Sequence, residues 1–235
     1  MLKLRWAFLA YISLLLPIIG FDLDRRLAMT WFDMQGHVWS FKHHWFVEGW
    51  LHDGGHHLVV GLYLLILACY VWSLLGFGIR RYRHGLSYLV ISLPAATLSV
   101  SLLKQLTRVD CPWSIVDFGG KRDYQFWLQS LWSPLSGADH CFPAGHASSA
   151  YMFFGLYFFC RYFWPKAART VLFIVIFSGL IFGFSQQLRG AHFISHDLTS
   201  ALICWSVTLM LWRYWAHRYL PYPEQQPAIL ATVGS

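Results

Sequence analysis

The chain has 235 residues, of which 57% are hydrophobic, 19% aromatic and 12% charged. So little polar surface excludes a soluble globule of this size and implies an integral membrane protein of one domain. The formal net charge of +7 does not argue for nucleic acid: the cations fall in separate clusters between apolar runs, no nucleic-acid module accompanies them, and a cytoplasmic excess of Lys and Arg accounts for most of the charge.

Apolar stretches long enough to cross a bilayer as helices, roughly 17 to 25 residues each, run at about 5–21, 57–78, 86–104, 147–164, 170–187 and 198–216. The predicted fold is all-α, a polytopic six-helix transmembrane bundle, with one domain over 1–220 and a flexible tail over 221–235. The first stretch has the length of a signal peptide, but no small-residue cleavage site follows before Asp22, so it reads as a retained helix with Pro17 as its kink or exit. Lys3 and Arg5, then Arg80, Arg81 and Arg83, then Arg161, Lys166 and Arg169, then Arg213 and Arg218 all fall on one face if there are six crossings. The positive-inside rule makes that face cytoplasmic and puts both termini there. Segments 22–56, 105–146 and 188–197 then lie outside. The first of these carries Trp31, Phe32, Trp39, Phe41, Trp45, Phe46 and Trp50, amphipathic aromatics suited to one or two interfacial helices. Such helices either frame a site or form a structural belt.

Three polar islands interrupt the apolar pattern on the outer side: Lys104 to Pro112, Cys141 to Ser149, and Arg189 to Asp197. Ionisable groups at a membrane boundary are costly and mark function by default. Cys69, Cys160 and Cys204 fall inside spans and read as small apolar residues. Cys111 and Cys141 lie outside, one beside each of two islands, where an oxidising compartment is expected. A disulfide between them would staple those islands together; two free thiols are the alternative.

Lys104, Arg108 and Arg189 with His146 and His192 offer three fixed cations and two imidazoles. The cations suit a dianionic phosphate. Two histidines allow displacement at phosphorus, one attacking and the other protonating the departing alkoxide. Gly145 precedes His146 at the mouth of the fourth span, where backbone N–H groups and a helix N-terminus can approach an anion.

Over about 104–197 the chain resembles the type 2 phosphatidic acid phosphatases, or lipid phosphate phosphatases. Their pattern is Lys, six residues, Arg-Pro; then Pro-Ser-Gly-His; then Ser-Arg, five residues, His, three residues, Asp. Here Lys104 and Pro112 match, with Cys111 in the Arg position. Pro143, Ala144, Gly145 and His146 match except that Ala144 replaces Ser. Ser185 and His192 match, with Gln186 in place of Arg and His196 in place of Asp. Each missing Arg has another three residues away, Arg108 and Arg189, close to one helical turn.

The resemblance implies a membrane lipid phosphatase, metal-independent and without cofactor, that hydrolyses a phosphate monoester or pyrophosphate through a phosphohistidine. His192 would be the nucleophile, His146 the acid and base, and Asp197 the acceptor orienting His192. Lys104, Arg108, Gly145 and Arg189 would hold the phosphate. His196 is a second acceptor or, in a competing register, the nucleophile. Substrates of the family, phosphatidic acid and undecaprenyl pyrophosphate among them, are not distinguished by sequence. The expected setting is a bacterial inner membrane with the site on the periplasmic face, and oligomeric state stays open. A lipid phosphotransferase and a non-catalytic lipid-binding protein are the alternatives. Ser195, His196 and Asp197 cannot form a hydrolase triad, because consecutive residues do not converge on one point. Zinc is the other chemical reading, from His43, His44, His52, His56 and His57 and the i, i+4 pair His192 and His196, but no nearby carboxylate or Cys completes a tetrahedral set.

Overall fold

Alternation of apolar runs with Gly, Pro and charged breaks produces helices joined by short turns, with no named strand among the described residues. The fold is that of a computed structural model describing residues 4–76, 78–130, 132 and 139–220, without the side chains of 51 and 52. The expected tail, 221–235, lies outside the described residues, as does the side chain of His52. The helices are α1 (Leu4–Gly20), α2 (Leu23–Met34), α3 (Gly55–Leu74), α4 (Arg83–Leu106), α5 (Trp127–Ser130), α6 (Gly145–Tyr151), α7 (Phe154–Phe163), α8 (Pro165–Leu188) and α9 (Ile194–Tyr219). Between α2 and α3 a 3-10 turn, Ser40–His43, leads into a π-helical stretch, Phe46–Gly54.

Four helices among the described residues are long and apolar enough to cross a membrane: Phe46–Leu74, Arg80–Leu106, Pro165–Leu188 and Ile194–Tyr219. α1 and α2 qualify only together, bent by 65°. The count is therefore four, or five with the bent pair, where the sequence predicted six. The difference arises at the fourth expected span, which is broken between Tyr151 and Phe154 into α6 and α7 of 7 and 10 residues. Pro17 lies within α1, and the chain turns after Gly20, where Asp22 takes a left-handed conformation with φ 51°.

α4 and α9 pack along the centre, α6, α7 and α8 close around them, α3 lies on α4, and α1 lies on α9. The core joins Tyr88, Leu89, Leu93 and Val100 of α4 to Cys204, Trp205, Leu209 and Trp212 of α9. The Tyr88 hydroxyl donates to the Thr208 carbonyl at 2.9 Å, which satisfies a buried phenol. Small residues allow close helix approach, as in membrane bundles generally: the Tyr151 ring occupies the space a Cβ at Gly179 would need. Leu62, Leu65, Phe173, Phe177 and Leu180 are exposed, as suits helices whose solvent is lipid and whose backbone is satisfied internally.

Candidate active site

The three polar islands meet at one end of the bundle. After Lys104, in the last turn of α4, the chain leaves the helix and residues 107–111 run beside 139–142. The Cys141 N–H donates to the Val109 carbonyl at 3.0 Å and the Thr107 hydroxyl to the Phe142 carbonyl. Cys111 and Cys141 are joined by a disulfide. Asp110 accepts from the Asp139 N–H at 3.0 Å and pairs with Arg122. The third island is tied in by the backbone: the Trp113 N–H donates to the Gly190 carbonyl at 3.0 Å and the Ala144 N–H to the His196 carbonyl at 3.4 Å. The Ser200 hydroxyl donates to the Ala144 carbonyl at 2.9 Å.

His192 sits in the turn between α8 and α9, buried, with Nδ1 2.7 Å from the Cys141 carbonyl. A carbonyl only accepts, so Nδ1 carries the proton and Nε2 keeps its lone pair. Burial, then the nearby charges of His196 and Lys104, hold the His192 pKa well below the ordinary imidazole range, which keeps the ring neutral with its Nε2 lone pair unprotonated. The His196 ring lies 5.8 Å from it, centroid to centroid. Lys104 Nζ comes within 3.7 Å of where a Cβ at Gly145 would stand. Gly145 opens α6 with no side-chain cap, and the next residue, His146, stacks on Phe182 at 4.7 Å. Lys104, Gly145, His146, His192 and His196 are thus one cluster.

Two predicted residues, Asp197 and Arg189, make their contacts elsewhere, and a third, Arg108, is exposed. The Asp197 carboxylate faces α8, where Oδ2 accepts from Gln187 Nε2 at 2.7 Å and the carboxyl carbon would lie 2.6 Å from a Cβ at Gly183. One residue along a helix is a rotation of about 100°, so when His196 faces His192 its neighbour cannot. The acceptor on His192 is the Cys141 carbonyl, not Asp197. The Arg189 guanidinium donates to the Lys42 carbonyl at 3.0 Å, to Glu48 at 3.1 Å and to Gln186 Oε1 at 3.4 Å. Arg108 is exposed on the loop after α4. Among the described residues, no group of three or more His, Cys, Asp or Glu side chains is arranged to hold a metal ion.

A family model described as the PAP2 superfamily matches residues 85–220, more than half of the chain. The chain belongs to the PAP2 superfamily. No curated protein and no solved structure gave a significant match. Membership carries phosphatase- or phosphotransferase-type chemistry.

Within the PAP2 pattern, the geometry accounts for two of the departures. His196, in the position of the motif Asp, packs against His192 and leaves the task of fixing its tautomer to a backbone carbonyl. Gln186, in the position of the motif Arg, contacts the Arg189 guanidinium one turn later. Residues before the matched stretch complete the site. Trp39 packs on Gly190, where φ is +71° and a Cβ would lie 2.5 Å from the indole, and Lys42 Nζ sits 4.2 Å above the Trp113 ring. The first aromatic segment therefore frames the third island, while Trp45 and Trp50 stay exposed. Asp24 of α2 is buried and accepts from Ser195, through the N–H at 3.0 Å and the hydroxyl at 2.6 Å. It caps the helix that follows His192. Asp24, Glu48 and the Cys141 carbonyl were all missed by sequence reasoning. The only signal for Asp24 and Glu48 was acidic charge in an interfacial segment.

Proposed function

We propose that this chain is an integral membrane phosphatase that hydrolyses a phosphate monoester or pyrophosphate of a lipid through a phosphohistidine on His192. The observation that carries the reading is the 2.7 Å contact of His192 Nδ1 with the Cys141 carbonyl, which leaves Nε2 as a free nucleophile beside Lys104 and His146. Lys104 and the backbone N–H groups at Gly145 and His146 hold the phosphate oxygens. His192 Nε2 forms the bond to phosphorus as the bond to the lipid oxygen breaks, and His146 gives that oxygen its proton, releasing the alcohol. His146 then takes a proton from water, whose oxygen attacks phosphorus and breaks the N–P bond. Inorganic phosphate leaves and both imidazoles return to their starting state. Lys104 and the amides supply the positive charge this needs, so no step calls for a metal.

Arg189 joins the phosphate contacts when the substrate displaces Glu48, and Arg108 reaches in from the exposed loop. Asp197 serves the α8–α9 contact through Gln187. The clusters of Lys and Arg at the opposite end and the disulfide at this one support a site on the outer, periplasmic face of a bacterial inner membrane with both termini cytoplasmic.

The test is purified protein against a panel of lipid phosphates and pyrophosphates, with and without chelator, for the wild type, His192→Ala and His146→Ala. Phosphate release without an acceptor lipid, insensitive to chelator and lost in both variants, is the expected result. Activity surviving both changes would overturn the mechanism. Turnover only when an acceptor lipid is added would make the protein a phosphotransferase.

A further inference from the structure

At the end of the bundle opposite His192, α7 turns into α8 through Trp164 and the corner forms an open cavity of about 530 Å3. Tyr157 and Arg161 line it from α7, and Pro165, Ala168, Arg169 and Leu172 from α8. These positions recur at helical spacing, so one face of each helix looks into the same space. Tyr157 is buried, and its hydroxyl accepts from Arg161 Nη1 at 3.2 Å, which orients the guanidinium. Arg161 and Arg169 are exposed, and among the described residues neither pairs with a carboxylate. Ten of the eleven acidic residues fall within 22–53, within 110–139 or at 197, and the eleventh is Glu224. Two guanidinium groups thus share a cavity that no carboxylate of the described residues lines.

The positive-inside bias explains why cations are numerous at this end. It does not explain why two of them border one cavity together with a buried phenol and an apolar wall. The volume falls in the range of small-ligand pockets, roughly 300 to 1,000 Å3. Forked guanidinium donors match phosphate oxygens. Ala168 and Leu172 offer apolar contact on the α8 side, and Trp164, 48% exposed, is an aromatic of the type found at headgroup level. Free phosphate would use the arginines alone; a phospholipid uses both the arginines and the apolar wall. Basic pockets between membrane helices hold anionic headgroups in this way.

We propose that the cavity binds the phosphodiester headgroup of an anionic phospholipid, held by Arg161 and Arg169 and separate from the catalytic cluster. His146 and Arg161 are fifteen residues apart along α6 and α7, which at about 1.5 Å per residue puts them on the order of 20 Å apart.

The experiment is a titration of detergent-solubilised full-length protein with phosphatidylglycerol, phosphatidylcholine or glycerophosphoglycerol, read as the shift in melting temperature. Wild type, Lys104→Ala and the double variant Arg161→Gln/Arg169→Gln are compared, with Arg169→Gln alone as a milder change. Phosphatidylglycerol is expected to stabilise the wild type and Lys104→Ala, and phosphatidylcholine neither. The double variant should need about 30-fold more phosphatidylglycerol for the same shift, and the single variant about fivefold more, at roughly 1 kcal/mol per basic residue. Phosphatase activity in detergent should be unchanged in both Arg variants. An unchanged response in the Arg variants, equal stabilisation by phosphatidylcholine, or loss of the response in Lys104→Ala would each overturn the proposal. Glycerophosphoglycerol acting as strongly as the lipid would overturn the assignment to a lipid.

Discussion

Arg189 and Glu48 face each other at 3.1 Å across 141 residues of sequence, joining the turn before His192 to the interfacial segment that precedes α3. Glu48 Oε2 also lies 3.4 Å from His43 Nδ1, so the carboxylate is held from two sides. The Arg189 side chain is 10% exposed and that of Glu48 38%, which makes this a partly buried pair whose acidic member water can reach. In the proposed mechanism a dianionic phosphate arriving at Lys104 would compete with Glu48 for the same guanidinium. Replacing Glu48 with Gln should therefore lower KM for the lipid phosphate by about two- to fivefold, the scale of a partly exposed ion pair. Arg189→Ala should lower kcat/KM by about tenfold or more. Steady-state kinetics on both variants check this, and an unchanged kcat/KM in Arg189→Ala would reduce Arg189 to an anchor for the outer segment.

The pH profile follows from the buried state of His192. Its pKa is held well below the ordinary imidazole value by burial and by His196 and Lys104. In the proposed mechanism the attacking ring must be neutral, so the depressed pKa would move loss of the nucleophile to lower pH. The acidic limb assigned to His192 in kcat/KM should lie below about 6.5, the unperturbed value. The same shift bears on stability: the unfolded chain takes up a proton at His192 before the folded one does, so stability is full above the unfolded pKa and falls as pH drops below it. Melting curves from pH 8 to pH 5 should show this decline, and a smaller one in His192→Gln.

The Cys111–Cys141 disulfide closes 30 residues of sequence, worth about 3 to 4 kcal/mol in the chain-entropy model. It also fixes the residue whose carbonyl accepts the hydrogen bond from His192 Nδ1. Reduction, or the paired change to Ser, should lower both melting temperature and kcat. Non-reducing peptide mapping establishes the bond, and full activity after reduction would show that the Cys141 carbonyl keeps its place without it.

Much of this arrangement was legible as sequence because it depends on runs of like residues. The apolar stretches that became α1, α3, α4, α8 and α9 announced themselves by length, and the islands between them by charge. The break between α6 and α7 has neither Pro nor Gly at Met152 or Phe153 to mark it, so a single apolar run hid two short helices. In the site, Lys104, His146 and His192 stood out because each is a side chain at a motif position. The Cys141 carbonyl carries no residue identity and cannot be read from a pattern. Asp197 and His196 differ by one place in sequence and by a third of a turn in space, and only the packing of α9 against α8 decides which faces His192.

Asp24 illustrates the same limit from outside the stretch that matches the family. It is 3% exposed and accepts two hydrogen bonds from Ser195. Asp24→Ala would leave two buried donors without an acceptor, each costing about 1 to 3 kcal/mol. A fall in melting temperature with a lower kcat is expected. Asp24→Asn keeps one acceptor and should recover part of both. Equal melting temperatures for Asp24→Ala and the wild type would show that α2 does not hold α9 through Asp24.

The central claim is covalent, and trapping tests it most directly. Purified protein mixed with a lipid phosphate labelled on phosphorus, quenched in alkali within the first turnover, should carry label that is stable to base and released by acid, the behaviour of a phosphohistidine. That label should map to His192, vanish in His192→Ala, and accumulate in His146→Ala when the substrate has an activated leaving group that needs no proton. Label on His196, or label that persists undiminished in His192→Ala, would contradict the account.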